Sequence, residues 1–272
     1  MRNHLTTVCV ITSTLALAAC TEGTGSRGIA PVSLALSSAV SAAAPAAAQA
    51  GGSETFTDST NKLVISSVEG VLRKVELKRA EAGAAAGCAM GTSGITASDD
   101  GGCGEDNDEI AAGPALVDLP LGGIERTFTA NLPAGSFDAL EFQIHKVSAD
   151  GDAADQAFLK AHPDFAGISM RVKGTFNGAN FTYTSDLDAQ QELKFEQPMV
   201  VEVGKPASVT IKLDLDGWFR NRRGTLVDPA TAAKGSENEN LVRDNIIRSF
   251  HAFQDNDEDG MDDGHEGHDD GH

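Results

Sequence analysis

Residues 168–185 read Ile168-Ser-Met-Arg-Val-Lys-Gly-Thr-Phe-Asn-Gly-Ala-Asn-Phe-Thr-Tyr-Thr-Ser185 and contain the strongest β-structure signal of the sequence. Two strand patterns, at residues 168–176 and 181–185, lie on either side of Asn177-Gly178. The Asn-Gly pair is a strong hairpin signal because both positions of the tight turn need a positive φ angle. The stretch therefore predicts an antiparallel β-hairpin.

Apolar and polar residues alternate in several other segments, which is the pattern of half-buried strands. In residues 140–147, Leu140, Phe142 and Ile144 alternate with polar side chains, and residues 208–215 alternate in the same way. Further strands are predicted at residues 63–65, 71–79, 116–119, 127–132, 192–195 and 200–203, and a short helix at residues 152–161. Short strands separated by turn residues predict a mainly β protein, an antiparallel β-sandwich of about nine strands.

Three segments resemble a known family. They are Ala115-Leu-Val-Asp-Leu-Pro-Leu121, Leu132-Pro-Ala-Gly-Ser-Phe137 and Leu140-Glu-Phe-Gln-Ile144. They are similar to uncharacterised bacterial lipoproteins with a prealbumin-like β-sandwich, over about residues 60 to 220. The resemblance implies the fold and no catalytic residues, since that family has no agreed activity. The loop that contains Cys88 and Cys103 departs from the family pattern.

The first nineteen residues form a secretion signal, with a charged start and an apolar run at residues 8–19. That run is too short to span a bilayer, which needs about 20 residues. Leu17-Ala18-Ala19-Cys20 resembles the lipobox of bacterial lipoproteins, which implies cleavage before Cys20 and a lipid on its thiol. The alternative is an ordinary secretory peptide with a chance cysteine. Thr21, in place of Asp, resembles a signal for the outer membrane.

Composition divides the rest of the chain. Residues 20–55 are rich in Ala, Ser, Gly and Pro, which predicts a lipidated flexible linker. Residues 56–224 hold the predicted sandwich, residues 225–254 a segment with one helix, and residues 255–272 an acidic, His-rich tail. Both termini are expected to be disordered. Ser236-Glu-Asn-Glu239 has the pattern of a capping box, and apolar residues then recur at helical spacing, so the helix is expected to reach about Gln254.

The protein is strongly acidic, with 40 acidic residues against 21 basic ones. Nucleic acid is therefore not expected as a partner, because binding to phosphates requires a basic face. Cys88 and Cys103 lie in a Gly-, Ser- and Asp-rich loop, and export to an oxidising compartment favours a disulfide between them. A two-cysteine metal site is the alternative, although further Cys or His ligands are lacking nearby.

The motif with the clearest chemistry is Asp255-Asn-Asp-Glu-Asp-Gly-Met-Asp-Asp-Gly-His-Glu266, which matches the EF-hand calcium loop. Calcium prefers six to eight oxygen ligands, and the glycine at position six allows the sharp turn. The predicted ligands are Asp255, Asp257, Asp259, the Met261 carbonyl, Asp263 through water, and Glu266. The alternative is a solvated acidic tail. We expect a dissociation constant of about 10⁻⁴–10⁻³ M, as in extracellular modules.

The function expected from these features is a membrane-anchored lipoprotein of the cell envelope, a binding or structural module with a calcium site. One alternative is a periplasmic Zn, Cu or Ni binder that uses His265, His268 and His272, since imidazole suits these metals. A second alternative is a hydrolase on a sandwich scaffold. No enzyme is predicted, because the sequence has no Ser-His-Asp order, nucleophile elbow or zinc-protease helix.

Overall fold

A computed structural model describes residues 28–38, 52–80 and 108–263, and in these ranges the protein is a two-sheet β-sandwich with twelve strands. The strands are β1 (Ile29–Ser38), β2 (Glu54–Thr57), β3 (Lys62–Arg79), β4 (Glu109–Ala111), β5 (Ala115–Asp118), β6 (Ile124–Pro133), β7 (Gly135–Ile144), β8 (Met170–Phe176), β9 (Ala179–Ser185), β10 (Ala189–Val201), β11 (Ala207–Leu213) and β12 (Phe250–Gln254). The same ranges contain two α-helices, α1 (Ala153–Ala161) and α2 (Glu239–Ile247). The predicted mainly β fold is confirmed.

The larger sheet is antiparallel and has the order β10-β7-β3-β8-β9, with β2, β4 and β5 also pairing with β3. The predicted hairpin is confirmed as β8 and β9, joined at Asn177 and Gly178, which have φ angles of 51° and 85°. β3 unites two strands that were predicted as separate. A bulge at Lys74, where φ is 47°, shifts its pairing with β7. As a result Val75 and Leu77 reach the core with Leu72, although simple alternation would turn them away.

The smaller sheet has the order β12-β11-β1-β6. β1 pairs in parallel with β11, from Val32 opposite Ala207 to Ser38 opposite Leu213, while its other pairings and those of β12 are antiparallel. The core lies between the two sheets, where Leu34 and Val209 of the smaller sheet share one cluster with Leu140 and Phe142 of the larger sheet.

The prediction that residues 20–55 form a flexible linker is wrong for residues 29–38, which form β1, and for residues 54 and 55, which begin β2. Val32, Leu34 and Leu36 of β1 point into the core, and Ser33 and Ser37 alternate with them and are also buried. Both faces of this strand are covered, so its outward positions hold small residues rather than charged ones. A central strand of this kind has the Ala- and Ser-rich composition of a linker.

The predicted C-terminal helix is also corrected, since α2 ends at Ile247 and residues 250–254 form β12. The capping box does not form, because the Glu239 carboxylate accepts a hydrogen bond from the Gly235 amide at 2.6 Å instead of from Ser236. Val242 and Ile246 are buried as the helical spacing requires. The apolar residues that follow the helix lie on β12, where Phe250 packs against Phe142 with ring centres 5.4 Å apart.

The predicted short helix is confirmed as α1, which begins after Asp152, whose side chain accepts a hydrogen bond from the Asp155 amide at 2.9 Å. Phe158 of α1 packs with Phe165, Val71 and Val147 in a second apolar cluster. In the described ranges, none of the helices is both long enough and apolar enough to cross a bilayer.

Candidate metal centre

The acidic loop begins where β12 ends, beside the first residues of β11. The Asp255 amide donates a hydrogen bond to the Ser208 carbonyl at 3.0 Å, and the Ser208 amide donates to Asn256 Oδ1 at 3.0 Å. The pairing of β11 with β12 therefore continues into the loop. A strand, rather than the expected helix, leads into the calcium motif and fixes its first residue.

Asp255 is fully buried and is the best-anchored side chain of the loop. Its Oδ2 accepts hydrogen bonds from the Thr210 hydroxyl at 2.6 Å and the Gly260 amide at 3.1 Å. Its Oδ1 accepts one from the Asp259 amide at 3.0 Å. Burial raises the pKa of the Asp255 carboxyl, while these hydrogen bonds oppose the shift. The Asp255 carboxylate thus binds the amides of the turn at residues 259 and 260.

Two further contacts close the loop. The Asp263 amide donates to the Gln254 carbonyl at 3.1 Å, and the Asn256 amide donates to Asp263 Oδ2 at 2.9 Å. Gly260 has a φ of +84°, a left-handed conformation that glycine adopts without strain. The predicted need for glycine at this turn is confirmed. Residues 255 and 263 are therefore brought side by side although eight positions separate them in sequence.

This closure gathers three of the six predicted ligands. Oxygens of the Asp255, Asp257 and Asp263 carboxylates all lie within 4.8 Å of one another. Asp259 is not in this cluster, and its carboxylate accepts a hydrogen bond from the Met261 amide at 2.7 Å. Glu266 lies outside the described residues, as do His265, His268 and His272.

The loop lies on the outer face of the smaller sheet, which the sequence did not predict. Glu258 forms an ion pair with Arg126 of β6, two strands away from β11, with Arg126 Nε 3.1 Å from Glu258 Oε1. A side chain added at Gly260 would lie 3.8 Å from the Ser37 hydroxyl of β1. The loop therefore reaches from β11 across β1 to β6.

Ser208 and Thr210 lie on the same outer face of β11, on either side of the core residue Val209. Both are buried, and Thr210 is bonded to Asp255. The Ser208 hydroxyl is buried without a hydrogen-bond partner in the ranges that the structure covers. Buried hydroxyls normally form hydrogen bonds. The Ser208 hydroxyl is therefore an exception, and it lies on the strand that anchors the loop.

Other polar groups form a shallow surface hollow of about 200 Å³ lined by Asp214, Asn245, Arg248 and His251. His251 lies on β12. His145 has its Nδ1 3.1 Å from Asp188 Oδ1. Arg220 pairs with Asp216 at 2.6 Å.

No protein-family model, curated protein or solved structure matches the chain. The resemblance to prealbumin-like lipoproteins therefore stays a prediction. The two-sheet fold does not contradict it. Cys20 and the pair Cys88 and Cys103 lie outside the described residues, so the lipid anchor and the disulfide stay predictions as well.

Proposed function

We propose that this protein is a lipid-anchored module of the bacterial cell envelope whose C-terminal loop binds calcium. The observation that carries the calcium proposal is the cluster of Asp255, Asp257 and Asp263 oxygens within 4.8 Å. Oxygens bound to one calcium ion at about 2.4 Å lie at most about 4.8 Å apart. The three carboxylates are thus already close enough to share a single ion.

The chemistry of the donors favours calcium over a transition metal. All three groups are carboxylates, which suit hard cations, whereas Zn, Cu and Ni prefer nitrogen and sulfur ligands. Three protein ligands leave a calcium shell incomplete. The Met261 carbonyl, Glu266 and water are the proposed remaining ligands, and partial hydration agrees with the weak binding expected for an extracellular site.

The proposed role of calcium is structural. Asp257, which is exposed, and Asp263 carry like charges close to Asp255, so the loop without metal includes carboxylates that repel one another. A divalent cation removes this repulsion and ties the C-terminal loop to β11, and through the ion pair of Glu258 with Arg126 to β6. The module would then keep its smaller sheet covered at the calcium concentrations outside the cytoplasm.

The proposed location rests on the N-terminal sequence. The charged start, the apolar run and Leu17-Ala18-Ala19-Cys20 support export and lipidation at Cys20. Several acyl chains hold a protein firmly, since each buried CH₂ contributes about 0.8 kcal/mol. The membrane is therefore a proposed partner, and the outer membrane is the proposed destination.

A calcium titration followed by calorimetry tests the metal proposal on the full chain purified from membranes. Wild type and Asp188→Asn, which alters an exposed carboxylate away from the loop, should both bind calcium. Asp257→Asn should weaken binding strongly, because Asp257 is a cluster member that is exposed and not needed for packing. Equal heats in all three proteins would reject the site. A parallel zinc titration separates binding by the three C-terminal histidines from binding by the cluster.

A further inference from the structure

Three apolar side chains are exposed together at one end of the sandwich. Among the described residues there are four large hydrophobic side chains that are strongly exposed, and three of these are Ile29 (58%), Val200 (57%) and Val203 (64%). We call these three residues the tether end, because Ile29 lies directly after the segment that joins Cys20 to the sandwich.

Backbone contacts join the parts of the tether end. The Gly204 amide donates a hydrogen bond to the Ile29 carbonyl at 3.1 Å, which places the β10–β11 turn beside the start of β1. The Ala134 amide donates to the Gly28 carbonyl at 2.8 Å, and Val200 pairs with Ser136. The turn between β6 and β7 therefore lies at the same end.

Covalent geometry limits how far this end can be from the lipid. Eight positions separate Cys20 from Gly28, and a chain spans at most about 3.6 Å per residue, so the two lie within about 29 Å. The 18 residues of β3 extend about 60 Å at 3.3 Å per residue. Arg79, the last residue of β3, lies near Ala134 with Nη1 3.4 Å from its carbonyl, while Lys62, the first, lies beside Asn177. The hairpin at Asn177 is thus at the far end.

The outer faces of the two sheets carry charged groups, and the one other strongly exposed large hydrophobic side chain among the described residues, Met261, lies alone in the acidic loop. The outer face of the smaller sheet carries the acidic loop, and that of the larger sheet carries Arg171 and Lys173 paired with Glu69. At the tether end, Glu202 and Lys205 pair with each other at 2.5 Å, so their charges compensate. Apolar side chains enter the headgroup region more readily than hydrated ion pairs do.

We infer that the tether end rests on the phospholipid bilayer, with Ile29, Val200 and Val203 in the headgroup region and the sandwich standing upright. This inference rests on the proposed lipid anchor at Cys20. The occupant of the apolar surface is the bilayer that holds the anchor, because the short connection keeps this end at the membrane. The acyl chains attach the protein to the bilayer, and the exposed apolar residues orient the sandwich on it.

Tryptophan fluorescence with brominated phosphatidylcholine vesicles tests the orientation on the full-length lipidated protein. Val203→Trp places a reporter at the tether end, and Asn180→Trp places one at an exposed site of the far hairpin. The single native tryptophan, Trp218, is fully buried and supplies a constant background. We expect the added emission to be quenched in Val203→Trp and retained in Asn180→Trp. Val200→Trp is a second reporter at the tether end should Val203→Trp disturb the turn.

Failure of the anchor and failure of the orientation give different results. If mass spectrometry finds no acyl groups on Cys20, both the anchor and the orientation are overturned. If Cys20 is acylated but the reporters at both ends are quenched equally, or neither is quenched, the orientation alone is overturned and the anchor stands.

Discussion

The two terminal strands of the described chain, β1 and β12, bind to opposite edges of the same strand, β11, yet they are held in different ways. β1 lies inside the sheet, in parallel with β11, and is covered on both faces. β12 is an edge strand, antiparallel to β11, and leads directly into an acidic loop. β1 is therefore held by pairing on both edges and by burial on both faces, whereas β12 is held by pairing with β11 and by the packing of Phe250 against the core.

The largest expected difference comes from placing a proline in each of the two strands. Ala35→Pro lies in the central strand and should abolish folding, because proline removes a ladder hydrogen bond and Ala35 is fully buried. Ala252→Pro lies in the edge strand, where proline is better tolerated, and should leave a folded protein. Circular dichroism during denaturation measures both, and equal loss of folding would contradict the comparison.

A smaller effect is expected from shortening one core side chain of β1. Leu34 is fully buried, so Leu34→Ala should lower the free energy of unfolding by about 2–5 kcal/mol. Ile29→Ala in the same strand removes a side chain that is 58% exposed and should cost about 0.5 kcal/mol or less. Urea denaturation gives both values. Similar costs would mean that β1 is not packed as a core strand.

Calcium should stabilise the β12 side and leave β1 unchanged. At about 10–100 times its dissociation constant, calcium adds about 1.4–2.7 kcal/mol to the unit that requires it. Hydrogen exchange should therefore slow in β12 and its loop and stay constant in β1.

Two variants inside the loop sharpen this test. Asp257→Asn should remove the response to calcium, since Asp257 belongs to the cluster. Asp259→Asn makes the same change of charge but alters a residue bonded to the Met261 amide, and should keep most of the response. If Asp259→Asn removes the response as completely as Asp257→Asn does, the ligands follow the EF-hand motif and the loop rearranges on binding.

The smallest effect is expected at the contact of the loop with β6. Arg126→Ala removes an exposed ion pair with Glu258, and such pairs contribute about 1 kcal/mol or less. Exchange of the loop amides should accelerate slightly, and salt should reduce the difference from wild type. Lys205→Ala breaks another exposed pair, with Glu202, and is the control that should not affect the loop. An unchanged loop in Arg126→Ala would place it away from β6.

The sequence predicts strands where burial is one-sided. β7 alternates because one face meets the core, and the hairpin of β8 and β9 is marked by Asn177 and Gly178. β11 alternates in sequence as well, although its outward residues Ser208 and Thr210 are buried too. β1 is not found by this reasoning because Ser33 and Ser37 on its outer face are buried, and Ser37 lies beside Gly260, more than 200 positions later in the chain. The pattern does not predict β12 as a strand, because Phe250 and Phe253 continue the helical spacing of α2 after the helix has ended.

The candidate site was predicted in part for a related reason. The motif gave Asp255, Asp257 and Asp263, since a tight loop with Gly260 turns alternate carboxylates toward one point. The burial of Asp255 against Thr210 depends on β11, 45 positions earlier in the chain, and local spacing contains no information about it.

The parallel pairing of β1 with β11 has a consequence for how the chain folds. Val32 and Ala207 are partners although 175 positions separate them, so the smaller sheet cannot form until nearly the whole chain has been made. Contacts of such long range are slow to form, whereas hairpins such as β8 and β9 close early. In synthesis from the N-terminus, β1 is made long before β11, so its apolar residues stay without their partner strand for longer than those of the hairpin. Pulse-labelled hydrogen exchange should therefore show protection of β8 and β9 before protection of β1.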